Sequence, residues 1–115
     1  MPLEIKTREV DGVSLVELNG KIILGDESSS LRETIKGLLG QGKKKILLNL
    51  ARISFIDSTG VGTLVAAYTS ARSQGGEVKL SSLTKKFRET LQVTRLLTVF
   101  EVFDDDQAAL ASFKH

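Results

Sequence analysis

A chain of 115 residues suits one small domain, and a chain of this size buries roughly 65% of its unfolded surface, enough for a single core. Hydrophobic content of 41% and charged content of 26% are ordinary for a soluble globular protein, and a net charge of +2 is too small to argue for a nucleic-acid partner. The absence of cysteine excludes disulfides and thiolate metal sites; with no long apolar run and no signal peptide, the expectation is a cytoplasmic protein without membrane insertion.

Residues 3–8 alternate apolar and polar with period two, Asp11-Gly12 supplies a hairpin turn, and residues 13–18 form the returning strand. Asn19-Gly20 ends that strand, and Ile22-Ile23-Leu24 reads as a further short one. A first helix is expected over residues 31–39. Ser30 and Glu33 fit a capping box, and Leu31, Ile35, Leu38 and Leu39 share one face. Gly40 and Gly42 mark its exit. Lys43, Lys44 and Lys45, with no aromatic residue among them, then read as a solvated entry to a strand. The near-continuous apolar run 46–50 predicts a central strand covered on both faces.

The chain is organised around the stretch Ser54-Phe55-Ile56-Asp57-Ser58-Thr59-Gly60-Val61-Gly62. A buried strand, a tight polar turn and an amphipathic helix over residues 61–72 are predicted, with Val61, Leu64, Val65 and Tyr68 facing inward. Ser58 or Thr59 falls at the N-cap position, and Gly60 and Gly62 leave the first turn open to close approach by a backbone or a phosphate. Gly75-Gly76 ends the helix, and residues 77–80 form a strand with Val78 and Leu80 on one face. A third helix follows Ser82 or Thr84 and buries Phe87 and Leu91. Residues 100–103 form the last strand, and Asp104 with Gln107 opens a short final helix. Strands alternating with helices after a hairpin predict an α/β domain with a mixed sheet of four to five strands and about four helices.

The string Ile56-Asp57-Ser58-Thr59-Gly60-Val61-Gly62 resembles the hallmark of STAS domains, specifically the stand-alone anti-sigma factor antagonists of bacterial partner-switching systems. The resemblance extends over nearly the whole chain, through the Leu48-Asn49-Leu50 strand, the Gly75-Gly76 turn and the closing Phe-Glu-Val-Phe segment. It implies a single STAS domain over residues 1–115. It also implies that Ser58, rather than Thr59, is phosphorylated by a serine/threonine kinase that is itself the anti-sigma factor. The unphosphorylated form would bind that kinase and release a sigma factor, and a serine phosphatase would restore it. Asp57, Ser58, Thr59, Gly60, Val61 and Gly62 would form the partner-binding surface. Many antagonists carry Gly-x-Leu-Asp after the second strand; here the stretch is Gly20-Lys21-Ile22-Ile23, with Asp26 later.

Taken without the resemblance, Ser58 reads first as a helix cap and only second as a phosphorylation site, and Asp57 as a turn residue bonding its own backbone. Enzyme templates find no support. The single histidine is the last residue, His115, and no H-E-x-x-H, Walker or G-x-S-x-G motif is present. The motif is similar to the Asp-Thr-Gly loop of aspartic proteases, but Gly60 comes one residue late and the helical pattern contradicts an all-β fold. No catalytic residue, metal or cofactor is expected. A second reading from another class is a STAS scaffold or accessory subunit of a sensory or lipid-transport complex.

Overall fold

The computed structural model describes residues 3–113. Strand β1 (Glu4–Val10) pairs antiparallel with β2 (Val13–Ile22), and Val10 faces Val13 across the turn. Asp11 and Gly12 both carry positive φ, 52° and 81°, the pairing that matches a two-residue turn to the strand twist. Asn19-Gly20 does not end β2. The register shifts between Glu17 and Asn19 and again between Gly20 and Lys21, and Gly20 takes a φ of 127° that admits the irregularity. Ile22 is therefore not part of a separate strand; it is the last residue of β2 and pairs with Ile56.

The chain continues through α1 (Asp26–Gly40), β3 (Lys45–Ile56), α2 (Ser58–Ser73), β4 (Glu77–Ser81), α3 (Lys85–Val93), β5 (Val102–Phe103) and α4 (Asp106–Ser112). The five strands lie side by side in chain order, with every pair parallel except β1 and β2. This is the mixed sheet with four helices expected from the alternation.

Several boundaries move. Helix α1 begins at Asp26, so Ser30 and Glu33 lie inside it and form no capping box. Asp26 and Glu27 put negative charge at the positive end of the helix, and buried Ser28 bonds the Ile23 carbonyl through both its N–H (3.2 Å) and its hydroxyl (2.7 Å). Those contacts with the residue five positions back start the helix a turn earlier than the Ser30/Glu33 signature. Gly42 and Gly75 close α1 and α2 with positive φ, and the residues after them, Lys43 and Gly76, bond back to Leu38 and Ala71. Thr84 caps α3, accepting from Phe87 N–H at 3.1 Å. The last strand shortens to Val102–Phe103 because Phe100 turns into the core against Tyr68, ring centroids 5.4 Å apart. Asp105, not Asp104, caps α4, accepting from Ala108 N–H at 2.8 Å.

The two sheet faces are built differently. Val16, Leu18, Ile46, Leu48, Leu50, Val78 and Leu80 point to one side, where Leu31, Ile35, Leu64, Ala71, Phe87 and Leu91 of the first three helices cover them. On the other side Val13, Leu15 and Leu47 are covered by α4, through Ala109 and Phe113, with Val10 and Phe103 packed at the margin. Polar groups complete that smaller contact. Asp106 accepts from Asn49 Nδ2 at 2.9 Å and from the fully buried Ser81 hydroxyl at 2.6 Å. Lys79, only 4% exposed, reaches Ser112 Oγ at 2.9 Å and Glu101 at 2.9 Å while its ammonium lies 4.5 Å from the centre of the Phe113 ring. The basic run is partly engaged as well: Lys43 pairs with Glu9 at 3.8 Å and Lys45 donates to the Phe113 carbonyl at 3.3 Å.

Candidate functional site

Strand β3 delivers Ile56 into the core, and the chain then turns sharply at Asp57, whose backbone is extended (φ −101°, ψ −178°). Asp57 is the N-cap of α2, a role the sequence assigned to Ser58 or Thr59. Its Oδ1 accepts from Gly60 N–H at 2.7 Å, and its Oδ2 accepts from Leu24 N–H at 2.9 Å in the β2–α1 connection. Its own N–H donates to the Ile22 carbonyl at 3.2 Å. Three bonds thus fasten the turn to the end of β2 and to the helix it opens. The Gly60 and Leu24 amides, in that order, hold the Asp57 carboxyl below its ordinary value of 3.8 by stabilising the ionised form.

With capping performed by Asp57, Ser58 becomes the first residue of α2. Its side chain is exposed and has no hydrogen-bond partner among the described residues. The hydroxyl stands at the positive end of a 16-residue helix. Thr59 is half-buried, and its carbonyl accepts from the Thr63 hydroxyl at 3.0 Å.

The two glycines differ. A Cβ on Gly60 would collide with the Ile22 carbonyl oxygen and stand 2.7 Å from Ile56 Cγ1. The close approach that Gly60 permits is therefore to its own β2 strand, inside the protein. A Cβ on Gly62 would meet nothing within 4 Å, so that residue leaves the outer side of the first turn bare. Val61 points inward and is buried in the main core. Of the six residues grouped by sequence, Ser58 and Gly62 face solvent, Asp57 and Thr59 are half-buried, and Gly60 and Val61 are buried.

Two neighbours escaped the sequence reading. Leu24, 73% exposed, is drawn beside the turn by its bond to Asp57, and Phe55, 44% exposed, precedes the turn with the Lys86 ammonium 5.6 Å from its ring centre. No local signal ties Leu24 to a residue 33 positions away. Asp26, the acidic residue nearest the missing Gly-x-Leu-Asp position, lies exposed in the first turn of α1. His115 lies outside the described residues. No described helix is long and apolar enough to cross a membrane, and no described group of three or more His, Cys, Asp or Glu side chains gathers into a metal site.

A hairpin-led, sequentially ordered sheet with an Asp-capped helix at the end of its central strand is the arrangement expected of the STAS fold, and the STAS domain family matches residues 4–109: the chain belongs to that family. The anti-sigma F factor antagonist of Paenibacillus polymyxa is 22% identical over 114 residues, covering 99% of this chain and 97% of that protein. Among solved structures, TM1081 of Thermotoga maritima superposes with a TM-score of 0.89 at 24% identity, covering 96% of this chain and 95% of that one. The Bacillus cell fate determinant SpoIIAA superposes with a TM-score of 0.76 in its phosphorylated form, at 20% identity over 96% of this chain and 100% of that one. Its unphosphorylated form gives 0.74, at 20% identity over 95% and 96%. At these identities the structural likeness is one of fold.

Proposed function

We propose that this protein is an anti-sigma factor antagonist, a binding module switched by phosphorylation of Ser58. The observation that carries the reading is the division of labour at the turn. Asp57 holds the helix terminus, and Ser58 is left with a solvent-facing hydroxyl that no internal contact uses. Membership of the STAS family and the name of the Paenibacillus polymyxa relative support the partner class. In this reading the unphosphorylated form binds an anti-sigma factor that is a serine/threonine kinase, and so frees a sigma factor. The kinase transfers the γ-phosphoryl group of ATP to the Ser58 hydroxyl, and a serine phosphatase removes it by hydrolysis.

The switch is local. A phosphate adds roughly −1.5 to −2 charges beside the ionised Asp57, at a surface that must lose water on binding. Exposed Leu24, bonded to Asp57, and exposed Phe55, two residues before it, supply apolar area near the turn, so binding there would desolvate the region where the charge appears. Incubation with the cognate kinase and ATP followed by phosphopeptide mapping tests the assignment. Phosphate on Ser58, and none without kinase, is the expected result. Phosphate on Thr59 alone, or incorporation by the protein by itself, contradicts it.

A further inference from the structure

Beyond the first turn of α2, a groove of about 260 Å³ runs between α1 and α2. Its floor is made of buried Ile35, Leu39 and Ala67, and small residues on the α2 side, Ala66 and Ser70, keep it open. Its lining on α2 extends from Thr63 to Gln74, a span of about 16 Å at the helical rise of 1.5 Å per residue. On the α1 side stand Arg32 and Lys36, one turn apart and exposed. Neither enters a hydrogen bond or an ion pair among the described residues.

We infer that this groove binds a single anionic amphiphile, an unbranched alkyl chain carrying a carboxylate of the medium-chain fatty acid type. The apolar floor excludes a purely polar ligand, because burying polar groups there without partners carries a desolvation penalty. The two unpaired cations select an anion and disfavour a cationic head group. A volume slightly below the usual range of about 300–1,000 Å³ for small-molecule sites fits one chain and no larger ring system.

Titration of dodecanoate into the full chain below its micelle concentration, followed by calorimetry, tests the inference. Saturable binding of one molecule per chain is expected. Dodecyltrimethylammonium, with the same tail and the opposite charge, should bind at least about tenfold more weakly. Ala66→Trp fills the groove from an exposed helix position and should abolish binding with an unchanged melting temperature. The double variant Arg32→Ala, Lys36→Ala, which leaves the floor intact, should weaken dodecanoate by about tenfold or more and bind the cationic amphiphile no more weakly than wild type does, because a like-charge repulsion is removed. No saturable binding, equal affinity for the two head groups, or full binding by a folded Ala66→Trp protein would each overturn it.

Discussion

Two aspartates each use both carboxylate oxygens, and they do opposite things with them. Asp57 accepts from two backbone amides, those of Gly60 and Leu24, at the open end of the sheet. Asp106 accepts from two side chains, Asn49 and Ser81, beneath α4. The first pairing stiffens a turn while leaving its outer surface to solvent, so that Ser58 and Leu24 remain exposed. The second closes a face, because the groups that meet Asp106 lie on strands and one of them, the Ser81 hydroxyl, is fully buried. The difference fits what the proposed switch at Ser58 would require: order in the backbone without consumption of the side chains that a partner would have to reach.

The largest effect is expected at the position that lets the turn close. Gly60→Val drives a side chain into the Ile22 carbonyl, a backbone group that cannot swing aside. Overpacking of this kind typically costs about 1–3 kcal/mol, and here it also displaces the helix terminus. A large fall in denaturation midpoint is expected by urea titration. A wild-type midpoint would show that α2 does not press on β2 as described.

Asp106→Ala should come next in size. It leaves the buried Ser81 hydroxyl and the Asn49 amide without their acceptor, a loss of roughly 1–3 kcal/mol, and releases α4. Faster amide exchange in residues 106–112, with the Ser58 turn unaffected, checks that the two aspartates act independently. Spreading of the effect to residues 57–62 would break the contrast between them.

How far these arrangements could be foreseen depends on how local their causes are. The Asp11-Gly12 turn, the apolar face of Leu31, Ile35 and Leu38, the two-sided burial of residues 46–50 and the Thr84 cap all follow from neighbours in sequence, and the chain adopts each one. The cap of α2 does not. Asp57, Ser58 and Thr59 are all good caps by type, and the choice falls on Asp57 because only there does the second oxygen reach Leu24 and Gly60 fit against Ile22. The start of α1 was hidden for a different, local reason: the Ser28–Ile23 contacts, five residues apart, override a well-formed Ser30/Glu33 signature. The α4 clamp was invisible because Lys79, Ser81 and Asn49 look like ordinary solvent-facing strand residues until a helix from the end of the chain covers them. Within the candidate site, residue type did not show which side chains face outward: Ser58 and Gly62 do, and Gly60 and Val61 do not.

A pH titration sharpens the comparison at the Asp57 end. The folded-state carboxyl lies below its ordinary value of 3.8, so its stabilising contribution is complete above that value and is lost as pH falls through the folded-state value. Asp57→Asn should therefore lower stability at neutral pH by an amount that shrinks on the acid side as the wild type loses its ionised cap. A constant gap between the two proteins down to strongly acidic pH would mean that the charge does not fasten the turn. The smallest change is expected at Gly62. Alanine there meets open space and should stabilise α2 by roughly 0.5–1 kcal/mol, in contrast to any replacement at Gly60.

The most direct test measures folding and partner binding together for wild type, Ser58→Ala and Ser58→Asp. Because Asp57 already caps α2, neither substitution removes a hydrogen bond, and a negative charge at the helix start is neutral or favourable by roughly 0.3–1 kcal/mol. All three proteins should melt within a few degrees of one another, at about 2–8 °C per kcal/mol for domains of this order of size. The anti-sigma kinase should bind wild type and Ser58→Ala alike. It should bind Ser58→Asp at least about a hundredfold more weakly, since the new carboxylate is left without a partner in a desolvated interface. Equal affinity of Ser58→Asp and Ser58→Ala, measured on proteins shown to be folded, would contradict the assignment of Ser58 as the switch.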